Sequence, residues 1–273
     1  MLDFITVYRK KNGETAVGYI TSPSNLTSSY GSRSRSVSPR PYTARNLSPS
    51  PRYHPEKEDP IRNVVDNLID SLSQLRLQCT TNEKIEESLV SLIYNNREQP
   101  SSIYCWLSDN QNTLSYGTLL GFLLLVGIGC EKDEKRAFTL FLTAAKRDYL
   151  VAQEFIGHCY FYGIGTHKEE NLAFNWFSKC AKQESACGYH GLGRCYEYGK
   201  GTDRCLIKAY ECYRTSAEGG NVRGMNDLAR HYRDGIGHTR NLDKAIRWYR
   251  KAFNHGCEEA QSELDILLDQ NYS

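Results

Sequence analysis

Three histidines, His158, His190 and His231, stand beside or near thiols such as Cys159 and Cys195, and these are the residue types that build Cys–His metal sites and thiol nucleophiles. Their spacing argues otherwise. No second ligand pair has zinc spacing, and no acid stands where it would orient an imidazole. Cys159 and Cys195 fall at equivalent positions 36 residues apart, which reads as a small hydrophobe at the end of a repeated helix. Four Gly-x-Gly triplets, beginning at Gly127, Gly163, Gly199 and Gly235, offer a second chemistry, because glycine-rich turns can cradle phosphate with backbone N–H groups. None is followed by Gly-Lys-Ser/Thr, and each lies between two helical patterns and not after a strand, so turn geometry accounts for them. HExxH, GxSxG and dinucleotide fingerprints are all missing from the sequence. The expectation is a protein that is not an enzyme and takes no cofactor or metal. A hydrolase with an unrecognised Cys/His site stays as an alternative, and it requires a deep pocket gathering several polar side chains.

The triplets matter more for what they position. Each follows the last by 36 residues, and the same offset aligns Ala137, Ala173, Ala209 and Ala245, then the aromatics Phe141, Phe177, Tyr213 and Tyr249. Before the triplets it aligns Leu120, Ile156, Leu192 and Leu228, then Gly121, Gly157 and Gly193 with Ala229. The unit therefore reads as a helix of about three turns, a glycine turn and a second helix of about four turns, each with one apolar stripe. Glycine ends the first helix because it takes the left-handed conformation without a side-chain clash. A hairpin of this kind cannot bury its stripe alone, so the units must stack into a solenoid.

These residues together resemble the Sel1-like repeat, a relative of the tetratricopeptide repeat with the pattern AxxxLGxxYxxGxGV followed by DxxKAxxWYxKAAxxG. The fourth unit matches best, with Leu228, Ala229, Tyr232, Gly235-Ile236-Gly237 and NLDKAIRWYRKAFNHG from Asn241. The resemblance implies an all-α, right-handed α-α superhelix of four 36-residue hairpins. It also implies a role in binding other proteins, with the first helices lining a concave face. On that face Glu154, His158 and Phe161 fall at i, i+4 and i+7, roughly opposite Ile156 and hence on the outward side. Their equivalents are His190, Arg194 and Glu197, then Asn226, Arg230 and Arg233, a surface growing more basic toward the C-terminus. Arg194, Arg230 and Arg233 would suit an acidic or phosphorylated peptide, and charge-reversing the three should cost partner capture without lowering the melting temperature. Cys180 and Cys187 straddle a hairpin join where secreted members of the family place disulfides; because only one unit here has both, free thiols are expected.

The rest of the chain divides around this array. Residues 1–20 read as a hairpin about Asn12-Gly13 or as a disordered lead-in, and residues 21–57 as a disordered Ser/Pro/Arg-rich arm. Ser22, Ser38, Ser48 and Ser50 each precede proline there and are candidate phosphorylation sites, which keeps a regulatory adaptor in a kinase signalling assembly as another alternative. Residues 58–113 read as a helical cap, opened by Pro60 and carrying Val64, Val65, Leu68, Ile69, Leu72, Leu75 and Leu77 at helical spacing; residues 114–270 form the repeat domain. With 273 residues, 40% of them hydrophobic, and a formal charge of +2, the chain can fill a core and predicts no nucleic-acid partner. It has no apolar run of membrane-spanning length and no secretory signal pattern, so the expected address is cytoplasmic, with a nuclear pool left open by the arginine-rich arm. The ten cysteines accordingly read as reduced thiols.

Overall fold

A computed structural model of the chain describes residues 60–77 and 82–271. The hairpin considered for residues 1–20 and the serine-rich arm at 21–57, with Ser22, Ser38, Ser48 and Ser50, lie outside the described residues. Among those described there are twelve α-helices and no strand. Three precede the repeats: α1 (Pro60–Leu77), α2 (Asn82–Asn95) and α3 (Pro100–Asp109). Four hairpins follow: α4 (Leu114–Val126) with α5 (Glu134–Ala145), α6 (Leu150–Tyr162) with α7 (Glu170–Lys182), α8 (Ala186–Tyr198) with α9 (Leu206–Glu218), and α10 (Val222–Asp234) with α11 (Leu242–Asn254). α12 (Glu258–Asn271) closes the series. No helix of the described residues is long and apolar enough to cross a membrane.

Each triplet does two jobs. Its first glycine is the left-handed C-cap of the first helix, with φ of 88°, 75°, 65° and 70° at Gly127, Gly163, Gly199 and Gly235, and its N–H closes the last helical turn. Its second glycine lies against the start of the second helix of the preceding unit: a Cβ on Gly165, Gly201 or Gly237 would overlap the carbonyl of Glu134, Glu170 or Leu206. Gly129 makes the same approach to Pro100, so α3 occupies the seat of a preceding second helix and closes that end of the array.

Small residues against aromatics then set the spacing within a unit. A Cβ on Gly121, Gly157 or Gly193 would come within 2.8, 2.6 or 2.7 Å of the ring of Phe141, Phe177 or Tyr213, each of which is fully buried. Each second helix packs between its own first helix and that of the next unit, and three buried apolar clusters follow one another along the array. α12 is in phase as the first helix of a further unit, with Leu264 at the position of Leu228 and Asp265 where Ala229 and the glycines accept an aromatic. A carboxylate there suits a closing helix and not another joint.

α1 is the element whose position the repeat pattern does not dictate. It packs on α4, α6 and α8, all of them first helices, burying Val64, Val65, Leu68, Leu72 and Leu75. That is why α4 can be apolar on every side, whereas α10, which α1 does not reach to the same extent, is strongly amphipathic.

Candidate functional site

The outward reading of the first-helix face needs correction. Glu154, His158, Phe161, His190 and Glu197 are all less than 8% exposed. A single helix does place them opposite Ile156, but that side is itself covered, by the neighbouring first helices and, at the early units, by α1. Arg194, Asn226, Arg230 and Arg233 are half-buried.

These residues mostly face one another across the joints between units. Arg230 donates to both Glu197 carboxylate oxygens (Nη1–Oε1 2.8 Å, Nη2–Oε2 2.9 Å) and to Asp227 Oδ1 at 3.2 Å. The Tyr213 hydroxyl donates to Glu197 at 2.7 Å, and His231 Nε2 lies 3.7 Å from the same carboxylate. His190 Nε2 lies 2.9 Å from Asp227 Oδ2. Arg194 donates to the Tyr162 hydroxyl and stacks over the Phe161 ring at 4.8 Å; Arg233 pairs with Asp234 and Glu263. The basic gradient expected from sequence is thus largely neutralised within the chain. Tyr213 is legible in the sequence only as a packing aromatic, and Tyr162, Asp227 and Glu263 not at all; apart from the i, i+3 spacing of Asp227 and Arg230, nothing local signals those three, because their partners arrive from a neighbouring unit.

The charge states follow from these surroundings. Burial pushes the Glu197 carboxyl up, but the nearby His231 and the hydrogen bonds from Arg230 and Tyr213 outweigh it and hold the group well below the usual carboxylate range. Asp227 is likewise lowered, burial being outweighed by His190 and by Arg230 and Arg194. Glu154 goes the other way: burial raises it to about 7 against the pull of Arg76 and the Ser185 hydroxyl, which donates at 2.6 Å. Burial pushes His158 well below the ordinary imidazole value, helped by Arg76, and lowers His190 against the pull of Asp227.

The Cys159 and Cys195 thiols are buried and pushed up to about 12, far from the thiolate a nucleophile needs. Among the described residues no three His, Cys, Asp or Glu side chains converge to hold a metal. A cleft of about 500 Å³ between α10 and α12 is lined by Arg233, Asp234, Arg240, Glu263, Ile266 and Leu267 and contains neither histidine nor cysteine. The free-thiol reading holds for Cys180 but not for Cys187, which is disulfide-bonded. Every other described cysteine is free.

Stacked helical hairpins joined by side chains from neighbouring first helices define an α-solenoid of the tetratricopeptide-related kind. The Sel1 repeat family model matches residues 118–149, 150–185, 188–221 and 222–257, just over half of the chain, and the protein belongs to that family. Two solved structures share the fold. A Sel1 repeat protein from Oxalobacter formigenes aligns with a TM-score of 0.52 and 23% identity, over 62% of this chain and 50% of that one. The protective antigen c5321 of uropathogenic Escherichia coli, described as displaying an SLR fold, aligns with a TM-score of 0.56 and 22% identity, over 78% of this chain and 52% of that one. The chain therefore spans about half the length of either structure. No curated protein matches it.

Proposed function

We propose that the protein is an interaction scaffold that holds partner proteins on the first-helix face of its solenoid. The observation that supports this most directly is that the face already carries a helix: α1 lies across α4, α6 and α8 as a ligand would lie in a groove. An extended repeat surface offers area for recognition, whereas the buried histidines and thiols are occupied in packing. The regulatory version of this reading, an adaptor in a kinase assembly, draws on the Ser-Pro pairs at Ser22, Ser38, Ser48 and Ser50, and phosphate mapped to those serines together with a co-purifying kinase is its test. The cytoplasmic address belongs to the same proposal.

Affinity capture with quantitative mass spectrometry tests the scaffold. On the first-helix side Tyr198 is 53% exposed and Asn226 is half-buried; on the second helices Ile207 is 62% exposed. Tyr198→Asp with Asn226→Asp should deplete the captured partners while Ile207→Asp leaves them in place. Equal capture by all three proteins removes this face from consideration.

A further inference from the structure

The last two helices of the array carry opposite charge. α11 has four cations, Lys244, Arg247, Arg250 and Lys251, against one acid, whereas α12 has five acids and no cation. The imbalance is local to this unit. On α9 the corresponding outer positions alternate as Lys208, Glu211, Arg214 and Glu218, and Arg214 meets Glu218 at 3.9 Å. At the equivalent places on α11, Arg247 stands for Glu211 and Asn254 for Glu218, so Arg250 has no carboxylate one turn away. Arg247, Arg250 and Asp265 are exposed, and among the described residues none of them makes an ion pair; Asp265 accepts only from the Gln261 amide.

An apolar side chain stands at the border of the two helices. Phe253 is 40% exposed at the position where Ala145, Ala181 and Ala217 are buried. Those alanines let the next first helix close over the second: a Cβ on Gly188 or Gly224 would overlap the backbone of Ala181 or come within 3.1 Å of that of Ala217. α12 has Ala260 where they have glycine, so both sides of this last joint are enlarged and the Phe253 ring stays outside it.

The turn sets the opposite charges level. α11 and α12 pack on each other through a connection of three residues, His255 to Cys257, and therefore run antiparallel. Arg247 lies nine residues before Gly256 and Asp265 nine after it, so equal rise per residue brings them to the same height. Arg250 stands one turn nearer the connection, and Glu258, seven residues before Asp265, shares the Asp265 side of α12. A two-fold axis parallel to both helices and midway between them then lays α11 of one copy over α12 of the other at unchanged height. Arg247 faces Asp265 of the second copy, the relation occurs twice, and the two Phe253 rings come together beside the axis.

We propose that this face is a self-association surface on which a second copy of the chain docks, α11 of each against α12 of the other. A polyanion would be drawn to α11 but repelled by α12; a second copy uses both. The contact is isologous and closes at two copies. It uses the end of the array and stands apart from the scaffold reading.

Charge exchange tests it on the full chain. Sedimentation equilibrium from about 1 to about 100 µM protein should show monomer passing to dimer and stopping there. Arg247→Glu with Arg250→Glu turns the α11 side acidic, and Glu258→Lys with Asp265→Lys turns the facing side of α12 basic. Either double variant alone should dimerise at least about tenfold more weakly, while an equimolar mixture of the two should recover the dimer as a heterodimer, because every contact again joins unlike charges. Phe253→Asp should weaken the dimer about tenfold, and raising salt from about 50 to about 500 mM should weaken it several-fold. A chain that stays monomeric throughout, association that both double variants retain, a mixture no tighter than its components, or growth beyond two copies each overturns the proposal. So does a monomer that binds heparin through Arg247 and Arg250, which would assign those cations to a polyanion. Should a double variant prove unfolded by circular dichroism, the salt series and Phe253→Asp decide: a dimer indifferent to both is not built on this face.

Discussion

Arg230 on α10 and Glu197 on α8 form a two-pronged ion pair, 2.8 and 2.9 Å, across the joint between the third and fourth units. Glu197 is nearly buried, so removing its partner strands a carboxylate in a poorly solvated joint. Arg230→Ala should cost about 2 kcal/mol in urea unfolding, with Arg230→Lys recovering only part because one ammonium cannot span both oxygens. Charge reversal of Arg194, Arg230 and Arg233 together, which sequence alone expects to spare the melting temperature, should lower it. A triple variant that melts with the unaltered chain would show that these links carry no stability.

The two glycine classes separate in the same assay. Gly201 has φ of 69°, and a Cβ there would overlap the Glu170 carbonyl, so Gly201→Ala combines left-handed strain with overpacking and should cost about 3 kcal/mol. Gly117, inside α4 with nothing within 4 Å of its would-be Cβ, should gain about 0.5 kcal/mol on replacement by alanine. Paired urea titrations read both, and similar signs for the two would overturn the assignment of the triplet to backbone contact.

The 36-residue spacing was legible because each joint reuses one local solution: glycine cap, alanine approach, aromatic plug. Helix bounds follow from it, and the cap helix read from Pro60 is α1. The fate of the candidate face was not legible. Whether a polar side chain opposite Ile156 meets water or the next unit depends on what lies across a joint more than 30 residues away, as Arg194 with Tyr162 and Arg230 with Glu197 show. Periodicity likewise identifies α1 as amphipathic but cannot say against which helices it turns its stripe.

Cysteine reactivity distinguishes the two thiol readings. Unfolding in denaturant with iodoacetamide and no reductant should alkylate Cys180, Cys159 and Cys195, which are free, and leave Cys187 unmodified until a reductant is added. In the folded chain the exposed Cys105 should label first, since burial holds the Cys159 and Cys195 thiols at about 12. Peptide mapping reads each site. Alkylated Cys187 in the unreduced, unfolded chain would restore the fully reduced set expected of a cytoplasmic protein; protection would favour an oxidising compartment.

Glu154 gives the fold a pH dependence of unusual sign. Its carboxyl titrates at about 7 in the folded chain, against an ordinary 4.5, because burial outweighs Arg76 from α1 and Ser185 from the start of α8. Between those values the folded chain keeps a proton that the unfolded chain has released. Stability from this group is therefore full below 4.5 and is withdrawn as pH rises through 7. Glu197 and Asp227, whose folded values are lowered, act oppositely: they stabilise above the ordinary carboxylate range and lose that contribution in acid. Glutamine at position 154 mimics the protonated acid at every pH. Relative to the unaltered chain, Glu154→Gln should thus gain on the order of 2 kcal/mol between pH 5 and pH 8, measured as the change in the difference of unfolding free energies. A difference that does not move between the two pH values would mean that Arg76 fully compensates the buried carboxylate.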